Sequence, residues 1–234
     1  MSVSKVCVLI PAYNEGKVIR EVVANARACF KKSKHSIDII VINDGSTDDT
    51  SSNAEAGGAH VIDHIINSGA GGATATGLRY AKKHHYDIAA TMDADGQHSP
   101  KDVVTGIEEM QNNTHELLIG SRLIDSTGMS KVKVIGNKGL SLITYILFGI
   151  ATTDSQSGLR IFSKRAINEL RWQTMSYEFC SEMLWRAKQK KMSVGEYPIE
   201  AIYTEYSKSK GQNNWNAINI IKSLLKRRIA ELLG

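Results

Sequence analysis

The sequence predicts an α/β fold, a mixed and mainly parallel sheet flanked by helices, in one domain spanning residues 1–234. Three observations predict it. Short apolar runs alternate with helix-spaced segments from residue 6 to residue 98, the pattern of strands joined by crossover helices. Most of those runs stop at Pro, Gly, Asn or Asp, which favour turns. Composition is that of a globular chain, 42% hydrophobic and 23% charged over 234 residues, enough to bury a core of normal size.

The elements follow in order. Residues 6–10 read as a buried strand ended by Pro11. In 14–30, Val18, Ile19, Val22, Val23, Ala26 and Phe30 have helical spacing, with Asn14 suited to the N-cap. Residues 37–42, IDIIVI, form a second strand stopped by Asn43-Asp44-Gly45; 46–56 suggest a helix opening in a polar turn. A short strand at 60–65, a Gly/Ala-rich loop turning helical at 70–83 and a strand at 88–92 complete the first half. The pattern then changes: helix 100–111, strand 117–120, an apolar helical segment 134–150, strand 158–162, helices 164–170 and 178–190, an extended segment 194–203 and a basic amphipathic helix 215–233.

Charge and cysteines narrow the class. The net charge of +5 is mild and gathers near the C-terminus, so nucleic acid is not an expected partner, while an anionic membrane surface is. Three scattered cysteines, Cys7, Cys29 and Cys180, contain no CxxC and suit a reducing cytosol. The first apolar run is too short for a signal peptide, and the longest, 140–150, is too short to span a membrane.

In an open parallel sheet, ligands bind beyond the carboxyl ends of the strands. Polar clusters fall at three such ends: PAYNE at 11–15, NDGSTDDT at 43–50 and MDADGQH at 92–98. A capped turn would explain any one of them; three at one edge predict a site. Asp93-Ala94-Asp95 is the sharpest. On a strand, residues two apart point the same way, so the two carboxylates would converge and repel unless a cation lies between them. Mg²⁺ or Mn²⁺ suits such oxygen ligands, with Gln97 and His98 near enough to complete or support the shell.

PAYNE, NDGSTDDT, the small-residue loop 69–77, DADGQHSP, GSR at 120–122 and DSQSGLR at 154–160 stand in the order typical of family 2 glycosyltransferases. The chain resembles that family over residues 4–205, and is most similar to its polyprenyl- and dolichyl-phosphate branch. The resemblance implies a GT-A fold with a nucleotide-binding half at 1–98, an acceptor half at 99–212 and an amphipathic helix at 213–234. It implies a nucleotide-diphosphate sugar donor, most often uridine-linked in the branch, and inversion at the anomeric carbon. Pro11, Ala12, Tyr13 and Glu15 resemble the segment that cradles base and ribose, and Asp44 the acid that reads the base. Asn43 stands where the family usually has Asp. Gly71 belongs to the loop that lets backbone approach the nucleotide; Asp93 and Ala94 join the nucleotide site, and Asp93, Asp95 and Gln97 the metal and diphosphate site.

Arg122 and Arg160, with Lys131, Lys133 and Lys138 between them, would hold a phosphate monoester; Ser157 lies in the same stretch. Asp154 is the candidate base if the acceptor is a sugar hydroxyl. If the acceptor is a lipid phosphate, already ionised near neutrality, Asp154 orients groups instead. Catalysis is thus expected from Asp95, Asp154, Arg122 and Arg160. Lys208 and Lys210 resemble the family's late basic loop. Residues 140–150 are either buried core or a helix lying at a bilayer surface. Helix 215–233 can dock on the body, on lipid, or on a small membrane protein partner. The expected enzyme is peripheral at the inner face of the membrane and glycosylates a polyprenyl phosphate. The alternatives are transfer to a glycan or glycolipid hydroxyl, and a non-catalytic nucleotide-binding scaffold.

Overall fold

The computed structural model describes residues 4–176 and 178–206, together with Lys222 and Leu225. Helix 213–234 and the lysines at 208 and 210 therefore lie outside the described residues, apart from those two positions.

The first half is a strict strand–helix alternation: β1 (Lys5–Ala12), α1 (Ile19–Phe30), β2 (Ser36–Asn43), α2 (Thr50–Gly57), β3 (His60–Asp63), α3 (Gly69–Lys83) and β4 (Ile88–Thr91). Then come α4 (Pro100–Asn112), β5 (Leu117–Ser121), α5 (Lys131–Phe148), β6 (Arg160–Ser163), α6 (Lys164–Glu169), α7 (Phe179–Gln189) and β7 (Val194–Pro198). The described strands form one seven-stranded sheet in the order β3-β2-β1-β4-β6-β5-β7. β1 pairs in parallel with β2 and β4, β2 with β3, and β5 with β7. β6 alone runs against its neighbours, β4 and β5. This is a GT-A-type mixed sheet.

Period-two alternation along β1 sorts the core. Val6, Val8 and Ile10 face Val23, Ala26 and Val103 of α1 and α4; Cys7 and Leu9 face Ala73, Leu78 and Ala81 of α3 and Met183 of α7. Both faces are covered, as a parallel sheet requires.

Several boundaries differ from the sequence expectation for local reasons. Asn14 is no N-cap: it adopts a left-handed φ of 53° and α1 starts at Ile19. Its side chain instead accepts from Thr47 N (2.9 Å), while its amide donates to Ser46 Oγ (2.9 Å), pinning the first polar loop to the second. Residues 64–65 leave the sheet rather than extend β3. The segment at 194–203 is strand only to Pro198. The apolar run 140–150 is split between environments: Leu140, Thr144 and Phe148 are buried, whereas Leu142, Tyr145 and Ile146 are exposed.

Candidate active site

Strand order reverses between β1 and β4, and α1 and α4 leave from that point on the way to their next strands. A crevice opens there at the carboxyl edge, where open α/β sheets take ligands. It holds a cleft of about 570 Å³. Pro11 and Ala12 line it at the end of β1, which runs two residues past the expected stop because Pro11 still pairs with Ile42; Tyr13 and Glu15 follow, with Asp44 after β2, and Asp93, Ala94, Asp95 and Gln97 after β4. Arg122 and Arg160 also reach its wall.

Asp44 is buried and tightly held. Its Oδ1 accepts from Ser68 N (2.8 Å), Ser68 Oγ (2.7 Å) and His64 Nδ1 (2.7 Å), and its Oδ2 from Gly69 N (2.8 Å). Burial pushes the carboxyl pKa up, but these donors outweigh it and hold it below the usual range. His64 is fixed in turn by Thr76 Oγ1 (3.0 Å). Gly69 supplies the turn at a φ of 80°, a conformation side chains resist. Oδ1 is therefore used within the protein, and Oδ2, with one partner among the described residues, has room for a second donor.

Asp93 and Asp95 meet at the other side, by a route the sequence argument missed. β4 ends at Thr91, so strand alternation does not align them; a turn at 94–96, with Gly96 at a φ of 77°, follows instead, and both carboxylates line the cleft near enough for the Asp93 charge to act on Asp95. Burial, then the Asp93 charge, raise the Asp95 pKa, only partly opposed by hydrogen bonds from Gln97. Gln97 donates its backbone N to Asp95 Oδ1 (3.0 Å) and its side-chain amide to Oδ2. It thus stands as support behind Asp95. His98 is buried and accepts the Asp93 amide on Nδ1 (3.1 Å), fixing the start of the turn. Among the described residues no group of three His, Cys, Asp or Glu forms a closed metal cage. Two neighbouring carboxylates at a cleft wall fit an open Mg²⁺ or Mn²⁺ site whose other ligands are waters and phosphate.

At the cleft wall Arg122 forms a bidentate pair with Asp154: Nε to Oδ2 at 2.7 Å and Nη2 to Oδ1 at 2.9 Å. Asp154 has no exposed side chain; Arg122 is partly open. Burial alone would lower the Arg122 pKa, but the Asp154 fork raises it. Glu196 of β7 anchors the loop from behind, accepting from Thr153 N (2.9 Å), Thr152 Oγ1 (2.6 Å) and Asp154 N (3.3 Å). An arginine held this way presents a fixed charge to the cleft.

Other expected residues have different surroundings from those expected. The expectation that Arg160 grips an acceptor does not fit its placement. It is almost wholly buried, and Nε donates to Ser157 O (3.1 Å), Nη1 to Cys180 O (2.9 Å) and Nη2 to Ser155 O (2.8 Å). Desolvation pushes its pKa down. Its donors close the loop 155–157 against α7, which makes it a positioning residue. Ser157 is likewise turned inward, accepting from Leu159 N (3.3 Å). Lys138 is exposed on α5, away from the cleft lining.

Gly71 does not meet the cleft either. Its N–H donates to Met175 O (2.7 Å), its carbonyl accepts from Trp172 Nε1 (3.0 Å), and a Cβ there would lie 2.5 Å from Thr174 O. Its smallness serves the 172–175 segment. Gly71→Ala is expected to cost about 1–3 kcal/mol, since the obstructing atom is backbone; a thermal melt equal to the parent's would refute that contact.

Sequence reasoning also missed the residues that hold these parts. Ser68 and His64 fix Asp44, Glu196 fixes Asp154, and buried Glu182 of α7 accepts from Gln173 N (3.0 Å) and Thr174 N (2.8 Å). Phe179, Cys180 and Met183 of α7 line the cleft. The one signal was an acid inside the apolar face of α7, which does not announce its partner.

Fold and cleft together define a GT-A glycosyltransferase. A family model, Glycosyl transferase family 2, matches residues 7–171, and the chain belongs to that family. It is 40% identical to the UDP-N-acetylglucosamine–dolichyl-phosphate N-acetylglucosaminyltransferase of Methanococcus voltae, across 96% of both chains. It is 30% identical to the undecaprenyl-phosphate mannosyltransferase of Micrococcus luteus, over 88% of this chain and 87% of that one. These relatives place it in the polyprenyl- and dolichyl-phosphate branch. Among solved structures, the glucosyl-3-phosphoglycerate synthase of Mycobacterium tuberculosis with Mn²⁺, uridine diphosphate and phosphoglyceric acid has the same fold. Its TM-score is 0.71 at 19% identity, over 96% of this chain and 78% of that one.

Proposed function

We propose that the chain is an inverting, metal-dependent transferase that moves a sugar, N-acetylglucosamine in the first instance, from a UDP-linked donor to a polyprenyl phosphate at the cytoplasmic face of a membrane. The donor reading is supported by the name of the Methanococcus relative and by Asp44, whose Oδ2 accepts only from Gly69 N among the described residues and can take a second donor.

One observation carries the acceptor reading: Asp154 is fully buried with both oxygens in the Arg122 fork. A hydroxyl acceptor needs a base within reach of its proton, and Asp154 is not poised to be one. A phosphate monoester, with its second pKa at about 6, needs none. Arg122 Nη1 has no hydrogen-bond partner among the described residues and can take a phosphate oxygen. Asp93 and Asp95, backed by Gln97, would hold the cation. A divalent ion there supplies Lewis-acid stabilisation of the departing diphosphate. Asp44, Asn14 and the loops they pin would hold the nucleoside, so that the acceptor side stays open to attack on the opposite face of the sugar. Peripheral attachment fits the finding that no helix among the described residues is long and apolar enough to cross a membrane. Segment 213–234 would add lipid contact or bind a small membrane protein.

The test is nucleotide release from UDP-N-acetylglucosamine with Mn²⁺ and short-chain acceptors. Release is expected with polyprenyl phosphate and not with the matching polyprenol. Preference for the alcohol, or for a sugar hydroxyl, would sink the lipid-phosphate reading.

A further inference from the structure

α5 has two faces of opposite character. Leu140, Ser141, Thr144 and Phe148 are buried against the body. Val132, Ile135, Leu142 and Ile146, spaced three, seven and four apart, are between 58% and 74% exposed on the other side. At about 1.5 Å per residue, that stripe runs for roughly 21 Å. Gly136 and Gly139 lie along the same helix, and a Cβ built at either meets no atom within 4 Å. A contiguous apolar stripe of this kind marks an interaction surface.

Charge points to the partner. α5 carries Lys131, Lys133 and Lys138 and no acid at all. The chain's own segment 207–234 is a poor cover for it, being basic itself: Lys208, Lys210, Lys222, Lys226, Arg227 and Arg228 against Glu231 alone. A second copy of α5 would bring the same lysines. An anionic lipid surface satisfies both features, taking the apolar stripe into the acyl boundary and Lys131 and Lys138 at the headgroups. The helix is not apolar enough to cross, so it would lie in the interface.

Location gives this a function. Lys133 stacks its ammonium 3.9 Å from the centre of the Tyr203 ring, and Tyr203 lines the cleft. The N-terminal end of α5 therefore borders the mouth of the site. We infer that the exposed face of α5 docks the enzyme on an anionic bilayer and sets the cleft mouth against the headgroup layer. This rests on the lipid-phosphate reading, to which it adds the surface that meets the membrane.

The test compares the full-length parent with the Ile135→Glu, Ile146→Glu double variant. Both positions are exposed, so the thermal melt should not move. Partition into vesicles of phosphatidylcholine with phosphatidylglycerol, free of polyprenyl phosphate, is expected to fall about tenfold or more. Transfer to a water-soluble short-chain polyprenyl phosphate should match the parent. Equal partition of variant and parent would overturn the proposal. A polarity-sensitive dye on Leu142→Cys should shift to the blue only when vesicles are added. A blue-shifted dye before any lipid would mean that another segment or a second copy covers the face, and would also overturn it. Failure of the acceptor reading shows up separately, as a parent that binds vesicles but transfers sugar to no polyprenyl phosphate.

Discussion

Asp95→Ala is expected to lower transfer by about a thousandfold, the several kcal/mol that a Lewis-acid metal contributes to a departing diphosphate. Chelation of the parent by EDTA should match it. Stability should move the other way. Burial and Asp93 raise the folded-state pKa of Asp95, so its ionised form opposes folding of the metal-free protein at neutral pH. A raised carboxylate pKa contributes stability below the unfolded value and loses it as pH rises through the folded value. Asp95→Asn should therefore melt higher than the metal-free parent at pH 7, with the gap closing as pH falls and Asp95 takes its proton. Adding Mn²⁺ should raise the parent's melting temperature and leave the variant's unchanged. Full transfer in EDTA, or a metal-free variant that melts lower than its parent, would refute this account of the turn at 93–95.

Arg122→Ala has the second large effect, and it should act on two measurements at once. It removes the cation that the proposal sets against the acceptor, a charge-assisted contact of roughly 1.5–3 kcal/mol, or about ten- to a hundredfold in kcat/KM. It also leaves Asp154 buried and unpaired, which costs about 3–5 kcal/mol of stability. Asp154→Asn separates the two. It removes the buried charge while Arg122 stays, freed from its fork, so acceptor KM should rise while slow hydrolysis of donor by water persists. If Asp154 were the general base, the same variant would instead collapse kcat for a hydroxyl acceptor and leave KM near the parent's. Arg122→Ala that folds and transfers like the parent would remove the phosphate-gripping role.

The alternating half of the fold was legible because β1 to β4 are short apolar runs ended by turn residues, and both are local properties. So was the cleft rim, since Pro11 closes the apolar run of β1, Asp44 follows β2 directly and Asp93 and Asp95 come within four residues of the end of β4. What could not be read depends on long-range contact. Arg160 looks like Arg122 in sequence, yet one is almost wholly buried with its donors on backbone carbonyls and the other keeps a partly open guanidinium at the cleft. Gly71 looks like a nucleotide-loop glycine, yet its neighbour is Thr174, about a hundred residues on. The reversal of β6 could not be read either, because no periodicity encodes strand direction. The α5 run escaped for another reason: its apolar residues fill both faces of one helix, and composition cannot tell which face is covered.

The reversed β6 has a consequence for how such a chain can diversify. Because β6 enters the sheet from the cleft edge, segment 149–159 arrives beside 92–99 and 122–130, while the links at the far edge shrink to pieces such as 58–59 and to the direct β6–α6 junction. Most of the irregular backbone among the described residues is thus gathered at one end of the sheet. Loop closure costs little per added residue, so insertions at that end can remake donor or acceptor preference without disturbing strand pairing. The opposite end offers short connections with little room to vary, and acts as the fixed frame against which new specificities can be tried.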